Sequence, residues 1–117
     1  MSDRDGLTFE QYQQLAARTA VYPGRDDEAV ASYPALGLAG EAGEVCEHLK
    51  KAIRDDGDVI TDERRQTLTK ELGDVLWYVA ALCDELDIAM EDVARHNVDK
   101  LADRQRRNVI RGEGDER

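Results

Sequence analysis

Residues 38–52, LAGEAGEVCEHLKKA, and residues 68–82, LTKELGDVLWYVAAL, follow one pattern: L-x-x-E-x-G-(E/D)-V-x-x-x-(L/V)-x-x-(A/L). Nothing else in the chain narrows its fold as much. Apolar residues recur at steps of three and four, Leu38, Ala42, Val45, Leu49 and Ala52 in one stretch and Leu68, Leu72, Val75, Val79 and Leu82 in the other. That spacing is the signature of an amphipathic helix with a packing seam. At about 100° per residue, Glu41 and Glu71 fall on the edge of the seam and Glu44 and Asp74 about 60° further out. Each helix therefore carries a carboxylate pair beside its apolar stripe.

The rest of the chain supplies helices of the same kind. Thr8 stands three residues before Gln11, a capping-box spacing that predicts a first helix through Leu15, Ala16 and Ala20. Pro23-Gly24 and the acids after it suit a turn and a new helix start, and SYPALGLAG leads into a long helix that ends near Arg54. Pro34 belongs in that helix's first turn or kinks it. RDDGDVIT turns the chain, Thr61 or Asp62 caps a third helix that runs to about Leu86, and a fourth spans about Met90 to Arg107. The tail RGEGDER, residues 111–117, is expected to be disordered beyond about residue 112, leaving an ordered core of about 8–108.

One all-α domain over residues 1–117 is the expectation. Charged residues make up 36%, hydrophobic 41% and aromatic 5%, with two prolines, which suits a helical protein better than a β-sandwich. The first ten residues lack a basic start and an apolar run, and no stretch nears the ~18 apolar residues of a membrane span. A cytoplasmic protein with no membrane partner is expected. Cys46 and Cys83 form no paired motif and read as free core thiols in a reducing compartment. A net charge of −10 opposes general binding to a nucleic-acid polymer, which needs an excess of Lys and Arg.

If the two long helices form an antiparallel hairpin about Gly57-Asp58, Glu44 faces Glu71 and Glu41 faces Asp74. Four carboxylates at one level of a partly dry cleft drive one another toward protonation. A cation relieves them. Oxygen ligands select a hard ion, Mg²⁺ or Mn²⁺, and the thiolate and imidazole set that zinc prefers is missing. A single E-x-x-E is most often a solvated helix face; two matched pairs in register are not.

The motif of Glu41 and Glu44 followed by that of Glu71 and Asp74, set in GLAGEAGEV and ELGDVLWYV, resembles the MazG-type all-α nucleoside triphosphate pyrophosphohydrolases. The resemblance spans roughly residues 8–108. It implies a four-helix fold, commonly a homodimer or homotetramer, that cleaves an NTP or dNTP between the α and β phosphates to NMP and pyrophosphate. It also implies that Glu41, Glu44, Glu71 and Asp74 ligate Mg²⁺, and that removal of unwanted nucleotides is the task. The chemistry of the residues agrees: attack by water needs ions that neutralise phosphate oxygens and a carboxylate that accepts a proton. Glu44 and Glu47 are candidates for that base, although Glu47 can instead pair with Lys51 at i+4.

Asn97, Lys100, Arg104, Arg107 and Arg111 follow at steps of three and four along one face of the fourth helix. The resemblance assigns Asn97 and Lys100 to the triphosphate, and Arg104 continues the pattern; the competing reading is a basic helix end that favours the macrodipole. Lys51 projects on the same side of its helix as Glu44. Tyr78, one turn after Asp74, matches a position that often touches sugar or base in the family, with Trp77 beside it; for both, a place in the core or a subunit interface competes equally with substrate contact. His48, one turn beyond Glu44, reads as a partly buried polar residue. Gly37, Gly40, Gly43 and Gly73 each cost about 1 kcal/mol relative to Ala inside a helix, which close approach of a neighbouring helix or of substrate would justify. No phosphate-binding loop, dinucleotide fingerprint, H-E-x-x-H or G-x-S-x-G is present. Phosphoribosyl-ATP pyrophosphohydrolase and a non-catalytic metal-binding helical interaction module remain as alternatives. The apolar seams exceed what one helical hairpin covers, which favours a homo-oligomer.

Overall fold

A computed structural model of the chain describes residues 6–25 and 32–117. Among them are four helices and no strand: α1 (Phe9–Ala17), α2 (Ser32–Asp55), α3 (Asp62–Glu85) and α4 (Met90–Arg106). Among the described residues, no helix is long and apolar enough to cross a membrane. The helix start expected after Pro23-Gly24 falls partly in 26–31, outside the described residues.

Local chemistry explains most of the boundaries. Thr8 caps α1 with a full capping box: the Gln11 N–H donates to Thr8 Oγ1 at 3.1 Å, and the Thr8 N–H donates to Gln11 Oε1 at 2.8 Å. Thr61, rather than Asp62, caps α3 by accepting the Arg64 N–H at 3.1 Å. Pro34 lies in the first turn of α2, where a missing N–H breaks no helical bond, and its ring is fully buried. After α3, Asp87 takes φ 55° and the Ile88 N–H returns to the Cys83 carbonyl at 2.8 Å. After α4, Asn108 repeats this with φ 60° and a 2.9 Å bond from the Val109 N–H to Arg104. Both are Schellman endings closed by the residue types that tolerate a left-handed backbone after glycine. α1 stops at Ala17, three residues short of Ala20, yet Ala20 is still buried.

α3 is the hub, lying against α2 along much of its length and against α1 and α4 near its C-terminal half. The innermost cluster joins Ala16, Ala80, Cys83 and Met90, with Tyr12, Trp77 and Val79 packed on it. Gln13 ties α1 to the turn between α3 and α4. Its Nε2 donates to Asp84 Oδ1 at 2.8 Å and to the Ile88 carbonyl at 3.0 Å, while its Oε1 accepts the Met90 N–H at 2.8 Å. Ala89 offers α4 no side-chain cap, so this distant amide satisfies one of the helix's orphan donors.

The seam pattern is covered unevenly. Ala52 is buried, but Leu49 is 41% and Leu72 55% exposed, so the two apolar stripes do not close on each other within one chain. Cys83 is a core thiol as expected, and burial pushes its pKa up. Cys46 departs from that expectation: it is exposed. The tail, expected to be disordered, is described lying back along α4, with Asp115 on Lys100 and Arg104.

Candidate metal centre

Contacts between α2 and α3 run in opposite numerical senses. Gly37 lies under the Tyr78 ring, Glu41 meets Glu71 and Asp74, and His48 meets Glu71 and Arg64. A Cβ on Gly37 would collide with that ring, so this glycine has the close-approach role expected of it. Gly40, Gly43 and Gly73 do not: a Cβ there would meet nothing within 4 Å among the described residues.

The four carboxylates converge on Glu71. Glu41, Glu71 and Asp74 present oxygens within 4.8 Å of one another, and Glu44, His48 and Glu71 form a second group on the same criterion. Glu41 and Glu71 are half-buried while Glu44 and Asp74 are exposed, the order expected from their helical phase. The crowding is electrostatically visible at Glu41. Its carboxyl is held above the usual range by burial first, then by a hydrogen bond shared with Glu71 and by the charges of Asp74, Glu71 and Glu44. A hard divalent cation fits this donor set, because it supplies the missing charge and takes oxygen ligands.

Around that centre the sequence-selected residues separate into near and far. Tyr78 is near: burial raises its hydroxyl pKa, with further contributions from Tyr33, Glu41 and Asp74. Trp77 meets Tyr78 edge-on at 5.0 Å, but its Nε1 donates to Thr19 Oγ1 at 2.9 Å and its ring packs on the core, so it turns toward α1. Lys51 is half-buried on α2. Glu47 pairs with Lys50 at 2.9 Å rather than with Lys51; the hydrogen bond from Lys50 holds its carboxyl below the usual range.

The basic stripe lies elsewhere. No Cα of α4 comes within 8 Å of α2 among the described residues. Asn97 and Lys100 line an open groove of roughly 700 Å³ with Asp92, Val93 and His96. Arg104 is buried, and its Nη2 donates to Asp115 Oδ1 at 3.1 Å; Lys100 Nζ donates to the same oxygen at 2.9 Å.

Some neighbours of the centre had little or no signal in the sequence. Tyr22 and Tyr33 stack at 5.1 Å with planes 3° apart, and Tyr22 meets Trp77 edge-on at 6.2 Å, extending an aromatic wall from Tyr78. Asp56 and Arg64 join His48 in a chain ending at Glu71. His48 had a signal, its i+4 spacing from Glu44; Arg64 had none.

The sequence model of the MazG nucleotide pyrophosphohydrolase domain family matches residues 33–109. The chain is also similar to the "Gene 37 protein" of Mycobacterium phage L5, 48% identical over 110 residues, which is 91% of this chain and 96% of that protein. No solved structure matches the chain.

Proposed function

The chain belongs to the MazG nucleotide pyrophosphohydrolase domain family, and from that premise we propose that it is a Mg²⁺-dependent nucleoside triphosphate pyrophosphohydrolase. Mn²⁺ would serve as a substitute ion. The substrate is an NTP or dNTP, the products are NMP and pyrophosphate, and the task is clearing unwanted nucleotides from a cytoplasmic pool. The single observation that carries this reading is the convergence of Glu41, Glu44 and Asp74 on Glu71, with the Glu41 carboxyl held up by burial and then by those neighbours.

In this reading α2 and α3 form an antiparallel hairpin whose four carboxylates hold the ion. When bound, the ion neutralises phosphate oxygens and acidifies the attacking water. Glu44, exposed at the rim, would accept a proton from an attacking water; Glu47 is the weaker base, being engaged by Lys50. Tyr78, with Trp77 behind it, offers a face for the sugar or base, and Lys51 a charge on the same side of α2. Asn97, Lys100 and Arg104 contact the triphosphate.

A second copy fits the uncovered apolar stripe. Leu49 and Leu72 are exposed, and the radius of gyration is 17.2 Å, whereas a compact domain of this length has one of about 13 Å. A homodimer or homotetramer would bury that face and would bring the Asn97–Arg104 stripe of one protomer toward the carboxylates of another, with Lys100 and Arg104 first leaving Asp115.

Incubation with a panel of NTPs, dNTPs and phosphoribosyl-ATP in Mg²⁺, with products separated by ion exchange, tests the reading. NMP and pyrophosphate in equal amounts are expected. Stoichiometric NDP and phosphate would overturn it, cleavage of phosphoribosyl-ATP alone would reassign the substrate, and no turnover with intact metal binding would leave an interaction module.

A further inference from the structure

The imidazole of His48 sits between two partners of opposite character. Its Nε2 lies 3.4 Å from Glu71 Oε1, and its Nδ1 lies 3.3 Å from Arg64 Nη1. A guanidinium is donor-only and keeps its charge. Nδ1 must therefore accept, and the single proton of the neutral ring resides on Nε2, facing Glu71. Arg64 is itself held. Its Nε and Nη2 each stand 3.0 Å from Asp56 Oδ2, and its backbone N–H is bound by the α3 cap at Thr61. All four side chains are sheltered, with exposures of 17% to 21%.

The tautomer has a consequence for metal choice. Glu44, His48 and Glu71 present ligand atoms within 4.8 Å of one another, which is a workable carboxylate-imidazole set for zinc. Binding through Nε2 needs a bare lone pair there. The proton would have to move to Nδ1, where it would point at the Arg64 N–H.

We propose that Arg64, acting through His48, keeps this centre an all-oxygen site: it holds the His48 proton on Nε2, beside Glu71, denies that nitrogen to a metal, and so favours Mg²⁺ over Zn²⁺. Arg64 is a positioning residue in this scheme. The proposal rests on the reading that the carboxylates hold a divalent cation, and it adds the device that sets which one. Oxygen sites take hard ions, whereas any imidazole in the set moves affinity toward zinc along the Irving–Williams order.

The test uses the full chain, stripped of metal, with ¹⁵N-labelled histidine at pH 8, where an ordinary imidazole is neutral. The parent should show His48 as a single Nε2–H tautomer. Arg64→Met, which keeps the stem and removes every donor, should give a mixture or the Nδ1–H form, and Arg64→Lys should restore Nε2–H. Calorimetric titration with Mg²⁺ and with Zn²⁺ then reads selectivity. Arg64→Met should raise Zn²⁺ affinity relative to Mg²⁺ by about 10- to 100-fold, the usual reach of a residue behind a metal ligand. Adding His48→Gln to Arg64→Met should erase that gain. Asp56→Asn only loosens the clamp and should move both readouts the same way, which serves if Arg64→Met does not fold. An Nδ1–H parent, or a Zn²⁺/Mg²⁺ affinity ratio that Arg64→Met leaves unchanged while the parent binds Mg²⁺, overturns this proposal and leaves the functional reading intact. A parent that binds no Mg²⁺ overturns both.

Discussion

Replacing Glu71 with Gln separates a metal ligand from a structural residue, because Glu71 is the member shared by both acidic groups. Two unit charges 4–5 Å apart repel by roughly 3–4 kcal/mol at an effective dielectric near 20. The crowding shows at Glu41, whose carboxyl is held above the usual range by burial first and then by the hydrogen bond with Glu71 and the charges of Asp74, Glu71 and Glu44. The amide introduced by Glu71→Gln removes one of those charges and can itself donate to Glu41. Metal-free stability should therefore be unchanged or rise by about 0.5–2 kcal/mol. Mg²⁺ reverses the comparison. At a concentration of about 100 Kd it stabilises the parent by about 2.7 kcal/mol, a Tm rise on the order of 10 °C for a domain of this size. The variant should lose most of that rise and nearly all turnover, because the amide keeps the shape and loses the anionic ligand. Urea and thermal melts with and without Mg²⁺, beside a pyrophosphate-release assay, read all three quantities. A Glu71→Gln protein that is less stable than the parent, still active and still stabilised by Mg²⁺ would refute the metal-site argument.

Three further outcomes follow from the geometry. Gly37→Ala drives a Cβ into the Tyr78 ring and should cost about 1–3 kcal/mol, whereas Gly43→Ala faces open space in the single chain and should stabilise by up to ~1 kcal/mol; urea midpoints compare them, and a costly Gly43→Ala would mean that another helix covers that face. The folded-state pKa of Glu41 is raised, so its stabilising contribution is complete below the unfolded value and is lost as pH rises through the folded one; metal-free Tm should fall across the window just above the ordinary carboxylate range, and Glu41→Gln should flatten that slope. Lys100→Ala should lower kcat/KM by roughly 10- to 1000-fold if it meets the triphosphate, while Asp115→Asn, which frees the same cation from an exposed pair, should lower KM by about 1.5- to 5-fold. Steady-state kinetics measure both, and an unchanged Lys100→Ala enzyme would leave that lysine only its contact with the tail.

Sequence alone determined what is local or periodic. Thr8 and Thr61 announce helix starts because a hydroxyl before a helical run satisfies an orphan N–H wherever the helix later packs. The phase of a helix puts Glu41 and Glu71 at a seam edge whatever the partner, and the turn at Gly57-Asp58 leaves few registers, so the carboxylate cluster was legible in the sequence. Tertiary structure decided the rest. Lys50 or Lys51 as the partner of Glu47 is a rotamer choice worth tenths of a kcal/mol, below what spacing resolves. Gln13 capping α4 joins groups 77 residues apart, and the chain from Asp56 through Arg64 to His48 exists only because the end of one helix and the start of the next fold back together. Leu49 and Leu72 read as seam residues because their sequence period is right, yet they stay exposed, since burial depends on a surface that one copy of the chain does not itself provide.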